Sequence, residues 1–259
     1  MRFRAIACEI MFREVCHEAA HSPHVVDLEF MPKGLHDNAE TLRERLQRAI
    51  DAVDPARDQA TVLGYALCSN GTAGLRATRT PLVIPRAHDC ISLFLGSRHS
   101  YAEYFAQRPG SYYYTAGWIE RDDDHVERTP AQGEGLYRPY GELVEKYGED
   151  NARFLMEFQS SWVQNYNTAA WVDMALSAHV PVEEHARQMA AERGWQPHRL
   201  EGSPRLFTAL LAGEWSADDF LVLSLGEQVV ATHDERIIAA APVAAAVEHP
   251  DPRHADVAS

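Results

Sequence analysis

The chain has 259 residues, 46% hydrophobic and 24% charged, and its 38 acidic and 24 basic side chains give a formal net charge of −14. Such proportions suit a globular protein with a sizeable core and exclude general disorder. An acidic chain without a basic patch also excludes nucleic acid and anionic membrane surfaces as partners. No run reaches the roughly 18 to 20 apolar residues of a membrane span. The opening MRFRAIACEIMFREVC carries Glu9 inside its apolar run and lacks a small-residue cleavage site, so it is not read as a signal peptide. A cytoplasmic protein is expected. Its four cysteines, Cys8, Cys16, Cys68 and Cys90, are then reduced thiols or ligands rather than disulfides.

In chain order, FRAIACEI opens as an apolar strand closed by Cys8 and Glu9, and VVDLEFM (25–31) is a second strand. DNAETLRERLQRAIDAV predicts a helix. Asp37 and Glu40 stand at capping-box spacing, and Leu42, Leu46, Ala49, Ile50 and Val53 recur at helical period. TVLGYAL (61–67) and PLVIP (81–85) are short apolar runs without alternation, as expected of strands buried on both faces. A helix follows over about 91–106, ended by Pro109-Gly110. SYYYTAGWIE (111–120) reads as an aromatic strand, and the acidic ERDDDHVERTPAQGEG as a solvated loop.

A helical middle is expected over 139–167, then a strand at AAWVDMAL, a helix ending near Gly194 and a strand at FLVLSLG (220–226). The tail from Pro242, rich in Ala, Pro, His and Asp, reads as poorly ordered. The alternation predicts α/β layers around a mostly parallel sheet flanked by helices. Residues 1–241 would form one domain, as a single body or as lobes of about 1–120 and 121–241.

Parallel sheets bind ligands beyond the carboxyl ends of their strands. Cys8 ends the first strand, Cys68 ends TVLGYAL, and His88 and Cys90 follow LVIP. If these strands are neighbours, three thiols and an imidazole meet at one edge. Thiolate and imidazole are ligands of zinc and iron, and thiolates also hold iron–sulfur clusters. Inert buried thiols are the alternative, and no CxxC pair is present. Cys16 reads as core packing, and His36 as part of the loop before a helix; His21 and His24 are further candidates for a fourth ligand.

The loop CSNGTAGL brings Asn70, Gly71 and Thr72 to the same edge, where main-chain N–H groups suit an anion or bound ligand. It is neither GxGxxG nor a Walker loop, and a tight turn with positive φ at Gly71 or Gly74 explains it equally. Arg86 is suited to a carboxylate or phosphate, or to a structural ion pair. Tyr112, Tyr113, Tyr114 and Trp118 would wall a pocket or fill the core, and Glu9 and Asp89 would be the nearest general bases or structural partners.

The blocks ACEIMFRE, GLHDNAETLRERLQRAID, LGYALCSNGTAGL, PLVIPRAHDCISLFLGSR, PGSYYYTAGWIE and LLAGEWSADDFLVLSLGE appear in order. Together they resemble domain-of-unknown-function family 1638, conserved proteins of methanogens and bacteria, from about Arg4 to Val229. The sequence departs from the family at SLGE, where a Pro-Gly is usual. The resemblance places the family's cysteines on Cys8 and Cys68 and its His/Cys block on His88 and Cys90. It brings no established reaction. It implies a link to corrinoid-dependent methyl or one-carbon transfer, with a small-molecule substrate and a corrinoid protein or methyltransferase as partner. A non-catalytic accessory module and a thiol redox enzyme stand as alternatives.

Overall fold

The computed structural model describes residues 1–121, 141, 144–145, 148–149, 151–153 and 165–243. Its main sheet is built from β1 (Arg2–Cys8), β2 (Val25–Met31), β3 (Ala60–Gly64), β4 (Leu82–Pro85) and β8 (Phe220–Leu223), in the order β2-β1-β3-β4-β8. All pairings are parallel except β8 against β4. A second, parallel sheet has the order β5-β6-β7, from Ser111–Tyr114, Thr168–Asp173 and Gln196–Glu201. A hairpin of β9 (Glu227–Ala231) and β10 (Ile238–Pro242) completes the strands described. The mostly parallel α/β architecture is thus as expected. The sheets do not divide the chain near residue 120, because β5 joins the second sheet and β8 returns to the first.

Every residue of β3 and β4 is buried, which explains their unbroken apolar runs. The helix α1 (Phe12–His21) connects β1 to β2, and α2 (Ala39–Asp51) connects β2 back across β1 to β3. Right-handed crossovers in opposite directions set these helices on opposite faces. Leu42, Leu46, Ala49 and Ile50 form the buried stripe of α2, as the period predicted. Its cap differs from expectation. Asn38, not Asp37, is the N-cap, its side-chain oxygen accepting from Thr41 N–H at 2.9 Å.

The helix expected over 91–106 is two helices, α3 (Ile91–Phe94) and α4 (Arg98–Gln107). Gly96 at φ +67 breaks it, and Ser97 caps α4 by accepting from the His99 and Ser100 amides. A Cβ at Gly96 would stand 2.6 Å from the Ser203 Oγ, so the break also admits the chain returning toward β8. The aromatic strand is shorter than expected: SYYY is β5, and Ala116–Glu120 forms α5 with Thr115 as its cap.

Sequence reading overlooked β7, the β9–β10 hairpin and a helix over Arg205–Ala212. Exposed residues dilute the strand patterns, and β10 is alanine-rich. The acidic loop after residue 121, most of the helical middle and the tail beyond 243 lie outside the described residues; Pro242 itself ends β10. No described helix is long and apolar enough to cross a membrane.

The two sheets are joined tightly. A Cβ on Gly117 of α5 would lie 1.8 Å from the Ile10 carbonyl oxygen, so the turn after β1 rests directly on α5. Nearby on α1, Glu14 is buried, and among the described residues neither carboxylate oxygen has a hydrogen-bond partner. Burial pushes its carboxyl up to about 7. The unfolded chain ionises this group near its ordinary value while the folded chain holds the proton, so stability falls as pH rises from about 4.5 to 7. The shift corresponds to about 3 kcal/mol. Urea melts from pH 4 to 8 should show this loss in the native chain and not in Glu14→Gln; parallel curves would mean that Glu14 is paired or hydrated.

Candidate functional site

β1 and β3 lie side by side with Ala7 opposite Gly64, yet the chain leaves β1 toward β2 and β3 toward β4. Their carboxyl ends therefore flank a topological switch point, where diverging connections open a crevice. Gly64 permits the close approach there, since a Cβ would stand 2.6 Å from the Ala7 Cβ. One residue further on, Cys8 and Tyr65 come side by side.

Beyond the strands the β3–β4 pairing is prolonged. Leu67 N–H donates to the Ala87 carbonyl at 2.9 Å, and Cys68 N–H to that of His88 at 3.0 Å. These bonds carry Cys68 alongside the segment that bears Cys90. The backbone then makes a left-handed turn with φ of 46°, 54° and 64° at Cys68, Ser69 and Asn70, closed by Gly71 N–H on the Cys68 carbonyl. Left-handed backbone costs a non-glycine residue about 1 to 2 kcal/mol. Gly74 has the positive φ expected of it; Gly71 does not, and its smallness serves the packing of Leu42, whose Cδ2 would stand 2.5 Å from an added Cβ.

Cys8 is buried, and Cys68 and Cys90 are half-buried. Burial pushes the Cys8 thiol up to about 11, opposed by a main-chain hydrogen bond at Ile10 and by the Tyr65 hydroxyl. Burial likewise takes Cys68 up to about 12, with Cys8 and Asp89 adding to it. Cys90 is raised well above the ordinary thiol range, by burial first and then by Cys68, Asp89 and Cys8. The three thiols are therefore electrostatic neighbours, and they are protonated at neutral pH.

Tyr65 lies among them, 3% exposed. Its hydroxyl is pushed well above its ordinary value by burial, then by Cys8 and Cys68. The Cys8 sulfur is near enough to influence it, yet among the described residues no partner meets hydrogen-bond geometry. Among the described residues no group of three or more His, Cys, Asp or Glu side chains is placed to hold a metal ion. The thiols are gathered but are not arranged as a finished ligand shell.

The other expected site residues separate into those at this edge and those with structural partners. The His88 side chain is exposed, and its carbonyl, not its ring, bonds to Cys68. Asp89 caps α3 by accepting from Ile91 N–H at 3.0 Å and Ser92 N–H at 3.3 Å. Burial raises its carboxyl, opposed by a hydrogen bond from Tyr101. Glu9 accepts from the Lys33 amide at 2.7 Å.

Arg86 donates to the main-chain carbonyls of Ala217, Arg236 and Ile238, and so ties β4 to the later strands rather than facing a ligand. Asn70 is exposed; Thr72 is fully buried with its hydroxyl 3.5 Å from the Leu67 carbonyl. Tyr114 belongs to the core of the second sheet with Trp171 and Trp195. Trp118 is half-buried; its carbonyl accepts from Lys33 Nζ at 3.2 Å, and its ring lies 4.8 Å beneath that ammonium. Cys16 is half-buried on α1, and His36 lies in a short 3-10 turn before α2.

Sequence reading missed Tyr65, Tyr101 and the buried Lys33. Tyr65 and Lys33 follow strand ends, the position that singled out the cysteines, and could have been found by the same rule. Tyr101 approaches Asp89 from α4, which no local pattern announces, and the expected pocket-wall residue Tyr113 approaches it from β5.

Fold and site define an α/β protein whose mostly parallel sheet gathers three thiols at its topological switch point. The chain belongs to the family described as a protein of unknown function (DUF1638), whose model matches residues 30–211. Cys68, His88 and Cys90 lie inside that span, whereas Cys8 precedes it. No curated protein and no solved structure matches the chain.

An unpartnered buried hydroxyl carries a desolvation penalty of about 1 to 3 kcal/mol. Tyr65→Phe should therefore leave the metal-free protein as stable as the native chain or more stable by about 1 kcal/mol, measured in urea. A loss of more than about 1 kcal/mol would show that the hydroxyl has a partner in the resting protein.

Proposed function

We propose that Cys8, Cys68 and Cys90 bind zinc or an iron-containing centre, an iron–sulfur cluster included, and that the protein acts on a small molecule at this crevice. The observation supporting this reading is the gathering of three thiols around the buried Tyr65 hydroxyl at the switch point. Soft thiolates select these metals. Binding would deprotonate the thiols and draw them inward, and three thiolates leave one position for His88 or for substrate. A centre with that position open would polarise a substrate or activate a thiol. Asp89, half-buried and hydrogen-bonded by Tyr101, is better placed than Glu9 to exchange a proton there. Corrinoid-linked methyl or one-carbon transfer, with a corrinoid protein or methyltransferase as partner, is the reaction class that the family resemblance favours.

Because the resting thiols hold their protons, metal must displace them. Affinity should rise with pH between 6 and 8, by up to roughly a thousandfold per unit as three protons leave. Metal analysis of protein purified without oxygen should find bound zinc or iron, and visible absorption distinguishes a cluster from colourless zinc. Cys68→Ser should lose most of the metal while Cys16→Ser keeps it. Equal retention in both variants, or metal-free native protein that takes up neither zinc nor iron, would refute the assignment.

A further inference from the structure

The stretch His17-Glu18-Ala19-Ala20-His21 places two histidines one turn apart on α1, with a glutamate after the first. Both imidazoles are exposed, and their ring centroids converge to 4.3 Å with planes 34° apart. That is less than the roughly 6 Å by which four residues advance along a helix, so the rings lean together.

Their hydrogen bonds matter more than their proximity. The His21 Nδ1 lies 2.7 Å from the His17 carbonyl oxygen, which can only accept, so Nδ1 carries the proton and Nε2 keeps its lone pair. The His17 Nδ1 lies 3.1 Å from the Glu18 Oε1, and an ionised carboxylate fixes the same tautomer there. Metal-ligating histidines are oriented in this way, one ring N–H donated to a carbonyl or carboxylate and the other nitrogen free for the ion. His24 is not part of the pair: it packs on Phe3 at 4.9 Å, and its Nδ1 lies 3.3 Å from the Met1 amino group.

We propose that His17 and His21 form a surface site for a divalent transition ion, with zinc as the reference ion, bound through both Nε2 atoms. This site is separate from the thiol crevice. Two imidazoles leave the other coordination positions to water or to an exogenous carboxylate or imidazole. The HExxH spacing is that of metal-dependent peptidases, but Glu18 is engaged with the His17 ring and so is not free as a general base. The site therefore binds; it does not hydrolyse.

The test uses the full chain and zinc alone. Isothermal titration of native protein, His17→Ala, His21→Ala and Glu18→Gln would be read beside the histidine ring resonances. Both histidines are exposed, so the variants should fold. The native chain should take up one more zinc than either alanine variant, with His17 and His21 Nε2 signals shifting together, and Glu18→Gln should bind tenfold or more weakly. Cys68→Ser should leave this uptake unchanged, which separates it from the crevice. Equal zinc stoichiometry in the native and His21→Ala proteins, or shifts at other histidines only, would overturn the proposal.

Discussion

The parallel pairing of β1 with β3 and of β3 with β4 is the constraint on which the rest of the molecule depends. It aligns three carboxyl ends in one direction, and the two main-chain hydrogen bonds beyond β3 keep the following loops together. A one-residue slip in this pairing would turn Cys8 and Tyr65 to opposite faces. Burial of every residue in β3 and β4 opposes such a slip, because it would move close-packed side chains such as Val62 and Leu63 out of their places. Backbone geometry thus gathers the thiols, and side-chain packing holds that geometry.

What the pairing gathers is costly to keep. Three successive non-glycine residues lie in the left-handed region at Cys68, Ser69 and Asn70, beside a buried hydroxyl that has no partner among the described residues. Strain and unsatisfied polar groups concentrate at functional sites when the surroundings over-determine them. The surroundings here do so. Thr72 and Leu75 are buried beneath the loop, Gly71 abuts Leu42, and Arg43 bonds to the Ala73 carbonyl at 2.5 Å.

The second sheet completes the surroundings of the thiol edge rather than founding it. Gly117 against Ile10 and Lys33 against Trp118 fix α5 over the turn that follows Cys8. Tyr101 and Tyr113 reach Asp89 from the same side. The edge chemistry therefore belongs to both sheets, whereas the ligand candidates themselves belong to the first. The helix α1 starts within this arrangement and carries the buried Glu14 on one face and the exposed His17 and His21 on another.

Unbroken apolar runs at 61–67 and 81–85 and the helical period of α2 made the layered fold legible from residues alone, and the cysteines at strand ends could be seen there too. Those signals are local, since burial and periodicity are written in the chain. The strand order, and with it the convergence of Cys8, Cys68 and Cys90, required the tertiary structure, because nothing local says which strands pair. Side-chain allegiance was decided there too. Arg86 stands beside the cysteines in sequence, but β10 and the turn before β8 present carbonyls to it, while Tyr65 finds no partner among the described residues. The sequence by itself determined which chemistry is available at the ends of the strands; long-range packing alone decided which of those groups face one another.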